Sequence, residues 1–138
     1  MPAVSSAGHR LAELSLIAIV DDDESVRMAT ESIVRSLGQE TRTFPSAESF
    51  LQSSLVLETS CLILDVQMPK MNGIQLQEHL LRLGVNIPII FITAYPDESD
   101  KSRVLKAGAV CYLRKPFDFQ QRLVDCLNKA LNKSDGPA

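Results

Sequence analysis

Short stretches with the length of β-strands alternate five times along the chain with longer segments whose apolar residues recur every three or four positions. Most of the short stretches are continuously apolar, as strands covered on both faces are. They lie at residues 16–20, 40–44, 62–65, 87–93 and 110–113. The longer segments indicate helices at residues 23–37, 46–51, 73–83, 97–107 and 118–131. The pattern therefore predicts a chain in which strand and helix alternate throughout.

The predicted helices carry start and stop signals. Asp23 and Ser46 can each accept a hydrogen bond from backbone N–H groups in the first turn of a helix. Asp118 and Gln121 make a similar capping pair before the last helix. Glycine, the residue that most often ends a helix, stands after three of the segments, at positions 38, 84 and 108.

Strand–helix alternation predicts an α/β fold with one doubly wound parallel sheet, because right-handed crossovers place helices on both faces. A chain of 138 residues is long enough for one such domain and too short for two ordinary ones. We place the domain at residues 15–131. Residues 1–14 are then an N-terminal tail, and residues 132–138 are a C-terminal tail or a truncated linker.

Polar side chains stand at the carboxyl ends of four predicted strands. Asp21 and Asp22 follow the first strand, Asp65 ends the third, Thr93 ends the fourth and Lys115 follows the fifth. In a doubly wound sheet, binding sites lie outside the carboxyl ends of the strands. We therefore expect these five residues to meet at one edge of the sheet.

Three carboxylates at one edge repel one another unless a cation lies among them. Mg²⁺ (or Mn²⁺) suits such a site, because it takes oxygen ligands and keeps waters that a phosphate can replace. Asp65 is then a candidate nucleophile toward phosphorus, with Lys115 neutralising charge and Thr93 donating to a phosphoryl oxygen. Taken singly, each residue also fits an ordinary role as a helix cap, a strand residue or a surface charge.

Composition narrows the classes of function. A net charge of −3 and a pI near 5.3 argue against a surface that binds nucleic acid by itself. No apolar run approaches the roughly 18 residues of a membrane span, and the first residues lack the apolar core of a secretory signal. The three cysteines are odd in number and lack CxxC spacing, so we expect reduced core thiols in a cytoplasmic protein. They are Cys61, Cys111 and Cys126.

Several segments resemble those of the receiver domains of two-component response regulators. They read IVDDDESVR, LILDVQMPKMNG, IIFITA, KAGAV and YLRKPFD. With FPSAESFL after the second strand, the chain is most similar to the FixJ-type subgroup. The resemblance covers about residues 15–131. It implies a flavodoxin-like, CheY-like sheet of strand order 2-1-3-4-5 with five helices.

The resemblance also implies a reaction. Asp65 would accept a phosphoryl group from a phosphohistidine on a sensor histidine kinase, in a step that depends on Mg²⁺, and would carry it as an aspartyl phosphate. Asp22, Asp65 and the main-chain carbonyl of Gln67 would bind the metal, and Asp21 would act through a metal-bound water. The protein would be a phosphoryl acceptor with intrinsic autophosphorylation and autodephosphorylation rather than a turnover enzyme.

Further roles follow from the same resemblance. Lys115 would pair with the phosphoryl oxygens, and its peptide bond to Pro116 would be cis. Thr93 and Tyr112 would form a switch pair that changes the surface around the fourth helix and fifth strand. Phosphorylated relatives meet through this face, which implies a homodimer. Here the stretch PDESDKSRV is strongly polar, so a charged contact, a heterotypic contact or none is equally open.

Two residues stand where the family tunes loss of the phosphoryl group. They are Gln67, two positions after Asp65, and Tyr95, two positions after Thr93. A bulky Tyr95 would shield the phosphoryl group from water and lengthen its lifetime.

Other functions stay open. A magnesium-dependent phosphatase of the haloacid-dehalogenase type would use Asp65, but such enzymes need a second Asp at the position of Gln67. A nucleotide- or flavin-binding module is opposed by the acidic loop DDDES, which has no glycine. The third alternative is a phosphate-independent interaction domain.

The output that the receiver would control is the part of its function that the sequence determines least. Seven residues follow Leu131, whereas a helix-turn-helix output domain needs roughly 60. The chain is therefore either a stand-alone receiver acting by protein contact or the excised N-terminal half of a transcription regulator. The FixJ-like sequence favours the second, in which DNA is reached only through an absent domain.

Overall fold

The computed structural model describes residues 15–115 and 119–135. Strands and helices alternate through these ranges, as predicted. The strands are β1 (Leu16–Val20), β2 (Glu40–Phe44), β3 (Cys61–Asp65), β4 (Ile89–Thr93) and β5 (Cys111–Arg114). The helices are α1 (Glu24–Ser36), α2 (Ala47–Gln52), α3 (Gly73–Arg82), α4 (Glu98–Lys106) and α5 (Phe119–Asp135), with a 3₁₀ turn at Val56–Glu58.

All five strands are parallel and follow the order β2-β1-β3-β4-β5, which confirms the predicted sheet. The register aligns the carboxyl ends of the central strands. Val20, the last residue of β1, lies beside Phe44 of β2 and Leu64 of β3. Asp65, the last residue of β3, lies beside Ile92 of β4. The residues that follow β1 and β3 therefore emerge side by side.

The core has two layers, one on each face of the sheet, because alternate strand residues point in opposite directions. Leu62, Leu64 and Phe91 pack with apolar residues of α2, α3 and α4 on one face. Ile63 and Ile92 belong to the cluster on the other face, which includes residues of α1 and α5. Every residue of β3 and β4 is buried. This double covering explains why these strands are continuously apolar in the sequence.

The helix ends follow the predicted local rules. Asp23 accepts a hydrogen bond from Val26 N at 3.2 Å, and Ser46 forms a reciprocal capping box with Ser49. The glycines at positions 38, 84 and 108 all have positive φ, as the stop signals require. The predicted capping pair at the start of α5 involves Asp118, which lies outside the described residues, as does Pro116 with its predicted cis bond.

Several boundaries differ from the prediction. β4 begins at Ile89 rather than at residue 87, because Pro88 has no N–H to donate to a ladder. β5 lies one residue later than predicted, and α5 continues to Asp135. Residues 132–135 are thus helical, although the sequence pattern weakens there. α4 buries only Val104, which accounts for its weak apolar periodicity.

The prediction of three reduced cysteines was wrong for two of them. Cys111 of β5 and Cys126 of α5 form a disulfide across a sequence separation of 15 residues. Their Cα atoms are 6.2 Å apart, because α5 packs directly on β5 and β4. Spacing along the chain gives no sign of this contact. Cys61 is a buried free thiol, as predicted, and burial raises its pKa to about 12.

Candidate functional site

The sheet brings the predicted site residues together at its carboxyl edge. Asp21 follows β1, Asp65 ends β3 and Thr93 ends β4, and their exposed fractions are 0%, 3% and 0%. Asp22 is exposed to solvent. One carboxylate oxygen from each of Asp21, Asp22 and Asp65 lies within 4.8 Å of the others.

Lys115 supplies the positive charge in this cluster. Its Nζ lies 3.1 Å from Asp21 Oδ2 and 3.3 Å from Asp65 Oδ1. Its backbone N–H donates to Thr93 O at 2.8 Å, which ties the residue to the end of β4. Burial acts to lower the pKa of Lys115, but the two carboxylates outweigh it and raise that pKa above its ordinary value. The lysine is therefore firmly cationic.

Asp65 is the carboxylate most perturbed by its surroundings. Burial and then the charge of Asp21 raise its pKa to about 7, and the attraction of Lys115 offsets only part of this. A carboxyl group with such a pKa is about half protonated at neutral pH. A divalent cation at this position would favour the ionised form.

Asp21 is held from all sides. Its Oδ1 accepts from Asp23 N at 2.9 Å, and its Oδ2 accepts from Lys115. Its backbone carbonyl accepts from the Arg27 guanidinium at 2.7 Å, and its N–H donates to Phe44 O at 3.1 Å. Both carboxylate oxygens of Asp21 are thus engaged, whereas Asp22 projects toward solvent.

The loop after β3 is fixed by contacts that the sequence did not reveal. A Cβ on Gly73 would lie 2.3 Å from the Asp65 carbonyl oxygen, so only glycine fits where α3 begins. Gly73 N donates to Val66 O at 2.9 Å. Glu48 of α2 accepts from Met71 N at 3.1 Å. These contacts fix the loop that follows Asp65 and contains Gln67.

Thr93 and Tyr112, the predicted switch pair, make separate contacts. The Thr93 hydroxyl donates to Gln67 Oε1 at 2.7 Å and accepts from Tyr95 N at 3.0 Å. The Tyr112 hydroxyl accepts from Asp97 N at 3.0 Å, at the start of α4. Burial raises the pKa of Tyr112, and the hydrogen bond from the Asp97 N–H lowers it. The carboxylates of Asp97, Glu98 and Asp100 add to the rise, so the pKa lies above its ordinary value.

The donor set fits a hard divalent cation. Carboxylate oxygens and a main-chain carbonyl are the ligands that Mg²⁺ prefers. Burial and then the charge of Asp21 raise the pKa of Asp65, and a divalent cation at this position would oppose both effects by favouring the ionised carboxylate. The cluster of Asp21, Asp22 and Asp65 is therefore compatible with Mg²⁺ binding.

A family model described as the response regulator receiver domain matches residues 17–128. The chain belongs to this family. The match assigns the chain to response-regulator receivers rather than to a family of haloacid-dehalogenase-type phosphatases or of nucleotide-binding modules.

Curated relatives agree with the assignment. Nodulation protein W of Bradyrhizobium diazoefficiens is 43% identical over 117 residues, which are 84% of this chain and 52% of that protein. Response regulator protein TodT of Pseudomonas putida is 40% identical over 130 residues, covering 94% of this chain and 57% of the relative. Transcriptional regulatory protein FixJ of Rhizobium meliloti is 36% identical over 102 residues, which are 74% of this chain and 50% of that protein. The chain spans about half the length of the curated relatives it matches.

Solved structures of receivers have the same fold. The response regulator StyR has a TM-score of 0.80 at 42% identity, over 88% of this chain and 61% of that one. A crystal structure of FixJ-N has a TM-score of 0.75 at 32% identity, and the match covers 86% of this chain and 94% of that one. The predicted family, including its likeness to FixJ, is confirmed. Among the described residues, no helix of this receiver is both long enough and apolar enough to cross a bilayer.

Proposed function

We propose that Asp65 accepts a phosphoryl group from a phosphohistidine on a sensor histidine kinase. A carboxylate oxygen of Asp65 attacks phosphorus, the P–N bond to the imidazole breaks, and the imidazole nitrogen leaves with the electron pair. The observation that carries this proposal is the contact of Asp65 with Lys115, 3.3 Å away, beside two further carboxylates. This arrangement supports the proposal, because a nucleophile for phosphorus needs a fixed cation and a metal ion close by.

Each of the other residues has a part in this proposal. Asp22, Asp65 and the Gln67 carbonyl would hold Mg²⁺ (or Mn²⁺), and Asp21 would act through water. The ion supplies positive charge that favours ionised Asp65 and offsets the charge of the transferred oxygens. Asp21 also holds Lys115 toward Asp65 through its Oδ2. Lys115 then pairs with a phosphoryl oxygen once the group is in place.

The proposed signal is a change of surface. The phosphoryl group adds nearly two negative charges and strong acceptor oxygens beside Thr93. Thr93 donates its hydroxyl proton to one of these oxygens. Tyr112, whose hydroxyl now accepts from Asp97 N, moves with the start of α4. Tyr95 is 73% exposed, so any shielding of the phosphoryl group requires its ring to fold inward.

The proposed output is control of transcription through a DNA-binding domain outside this chain. The part of this chain that aligns covers only about half of each relative named as a transcriptional regulator, which supports the proposal. A receiver that acts alone by protein contact is the alternative, and a phosphate-independent interaction domain is the weaker one. We also propose a cytoplasmic location, where the phosphohistidine donor is made.

The α4–β5–α5 face would carry homodimerisation of the phosphorylated receiver. Acidic and basic residues line one hollow there together with Tyr112, namely Asp97, Glu98, Lys101, Arg114 and Arg122. Opposite charges on one face allow two copies to pair acid with base. We therefore propose a contact based on charge, rather than on an apolar patch, and it should weaken with salt.

The first experiment is intact mass spectrometry after incubation with Mg²⁺ and acetyl phosphate. We expect a gain of one phosphoryl group in wild type and none in Asp65→Asn. Asp125→Asn, at an exposed carboxylate of α5, is the matched control and should gain the group. Elution volume recorded before and after tests the dimer. A modified Asp65→Asn protein, or labelling undiminished by EDTA, would contradict the proposal.

A further inference from the structure

The hydroxyl of Thr93 is already engaged in the protein without a phosphoryl group. Its proton goes to Gln67 Oε1, with the two oxygens 2.7 Å apart. Its oxygen accepts the N–H of Tyr95 at 3.0 Å. A threonine hydroxyl has one O–H to donate. The donor that the proposed switch requires is therefore in use by Gln67.

The contact joins two residues of opposite exposure. Thr93 is fully buried at the end of β4, whereas Gln67 is an exposed residue of the loop after β3. The hydroxyl oxygen accepts the Tyr95 N–H and its proton goes to Gln67 Oε1, so the two contacts together hold the Thr93 side chain in one rotamer. Gln67 is the partner that takes the proton.

We propose that the side chain of Gln67 positions Thr93 in the unphosphorylated receiver and competes with the phosphoryl group for its single proton. This inference rests on the proposed function of Asp65. A phosphoryl oxygen obtains the hydroxyl only after Gln67 releases it. Gln67 thus sets part of the free-energy cost of the switch through its side chain.

The surrounding contacts allow Gln67 to release the Thr93 hydroxyl without disturbing the site. Glu48 holds Met71, and Gly73 is packed on Asp65 and bonded to Val66, so the loop backbone is fixed at other residues. The Gln67 amide lies at the surface, where water can replace the hydroxyl as its partner. Breaking the contact therefore needs a rotation of one side chain and no movement of the loop.

The test compares wild type with Gln67→Met, which keeps the length of the side chain and removes the acceptor. The probe is beryllofluoride with Mg²⁺, a noncovalent mimic of a phosphoryl group on a carboxylate, titrated by NMR. We expect Gln67→Met to bind it about two- to tenfold more tightly, the range of one neutral hydrogen bond. Gln121→Met, at an exposed glutamine of α5, should bind like wild type.

A double-mutant cycle separates this role from shielding of the site. In a Thr93→Val background the hydroxyl is absent, so Gln67→Met should have no further effect on beryllofluoride binding. Persistence of the full effect in that background would overturn the inference. Equal affinities of wild type and Gln67→Met would overturn it as well.

A second readout needs no ligand. Scalar couplings that report the χ1 angle of Thr93 should show one rotamer in free wild type and averaging in free Gln67→Met. Gln67→Glu keeps an acceptor oxygen and should restore the single rotamer. Identical couplings in all three proteins would overturn the inference. Failure of wild type to bind beryllofluoride, with the couplings as expected, would instead overturn the proposed function and leave the Gln67–Thr93 contact standing.

Discussion

At the scale of single residues, the site depends on an imbalance of charge. Asp21 and Asp65 are buried together, and one lysine amine lies between them. Burial and then the charge of Asp21 raise the pKa of Asp65 to about 7, because the amine contacts both carboxylates and offsets only part of these effects. A divalent cation at this edge would therefore favour the ionised form of Asp65.

This imbalance has a consequence for stability. The pKa of Asp65 is about 7 in the folded chain and about 3.8 in the unfolded chain, so the folded state binds more protons between these values. The free energy of unfolding should then fall as pH rises from about 4 to about 7 and level off above, without divalent ions. Asp65→Asn removes this loss and should be more stable at pH 8 by up to about 4 kcal/mol.

Urea unfolding of both proteins at pH 5 and pH 8 in EDTA measures the effect. The advantage of Asp65→Asn should be small at pH 5 and large at pH 8. Parallel pH dependence in the two proteins would show that Asp65 titrates at an ordinary pKa.

At the scale of elements, sequence reasoning succeeded where the cause is local. Asp23 and Ser46 cap their helices through backbone N–H groups three residues away, so the residue type is enough to predict the contact. Buried strands were equally visible, because their apolar runs are continuous. Boundaries moved where a ladder needed a donor, as at Pro88. The Glu48–Met71 and Gln67–Thr93 contacts join segments about 25 residues apart, and no local pattern encodes them.

The junction of β3 and α3 should tolerate no side chain at its glycine. In Gly73→Ala the new Cβ meets the backbone of Asp65 and Val66, which cannot rotate away. We expect a loss of about 1–3 kcal/mol in the free energy of unfolding and weaker Mg²⁺ binding, because Asp65 must shift.

Gly38→Ala is the matched control. Gly38 has a φ of 87° and nothing within 4 Å of a new Cβ, so its cost comes from the backbone alone, about 1–2 kcal/mol. Both variants should lose stability, and only Gly73→Ala should lose metal affinity. Normal Mg²⁺ binding by Gly73→Ala would contradict the role of this packing.

The disulfide between Cys111 of β5 and Cys126 of α5 should contribute measurably to the free energy of unfolding. Cys111 and Cys126 close a loop of 15 residues, for which the chain-entropy estimate is about 3 kcal/mol. Chemical denaturation with and without a phosphine reductant should show this difference. Cys111→Ser should have the denaturation midpoint of the reduced protein, and the reductant should not change that midpoint. Cys61, with a pKa of about 12, is too weakly ionised to interfere. Equal midpoints of wild type with and without the reductant would mean that the disulfide adds no stability.

At the scale of the whole molecule, metal binding and folding are coupled. A cation that binds only the folded receiver stabilises it by an amount set by the ratio of its concentration to its dissociation constant. At ten times that constant, Mg²⁺ should add about 1.4 kcal/mol to the free energy of unfolding at pH 8. Below pH 7 protonation of Asp65 competes with the ion, so the same Mg²⁺ concentration should add less at pH 6.

Thermal denaturation with and without Mg²⁺ at the two pH values tests this coupling. Asp22→Asn removes an exposed charged ligand while leaving the buried contacts of Asp21 and Lys115 in place, so it should fold normally and gain less from Mg²⁺. Asp125→Asn should gain as much as wild type. An undiminished gain in Asp22→Asn would place the ion elsewhere. Because Asp65 would both bind the ion and accept the phosphoryl group, the pH at which the Mg²⁺ effect falls by half should also mark the loss of phosphorylation by acetyl phosphate.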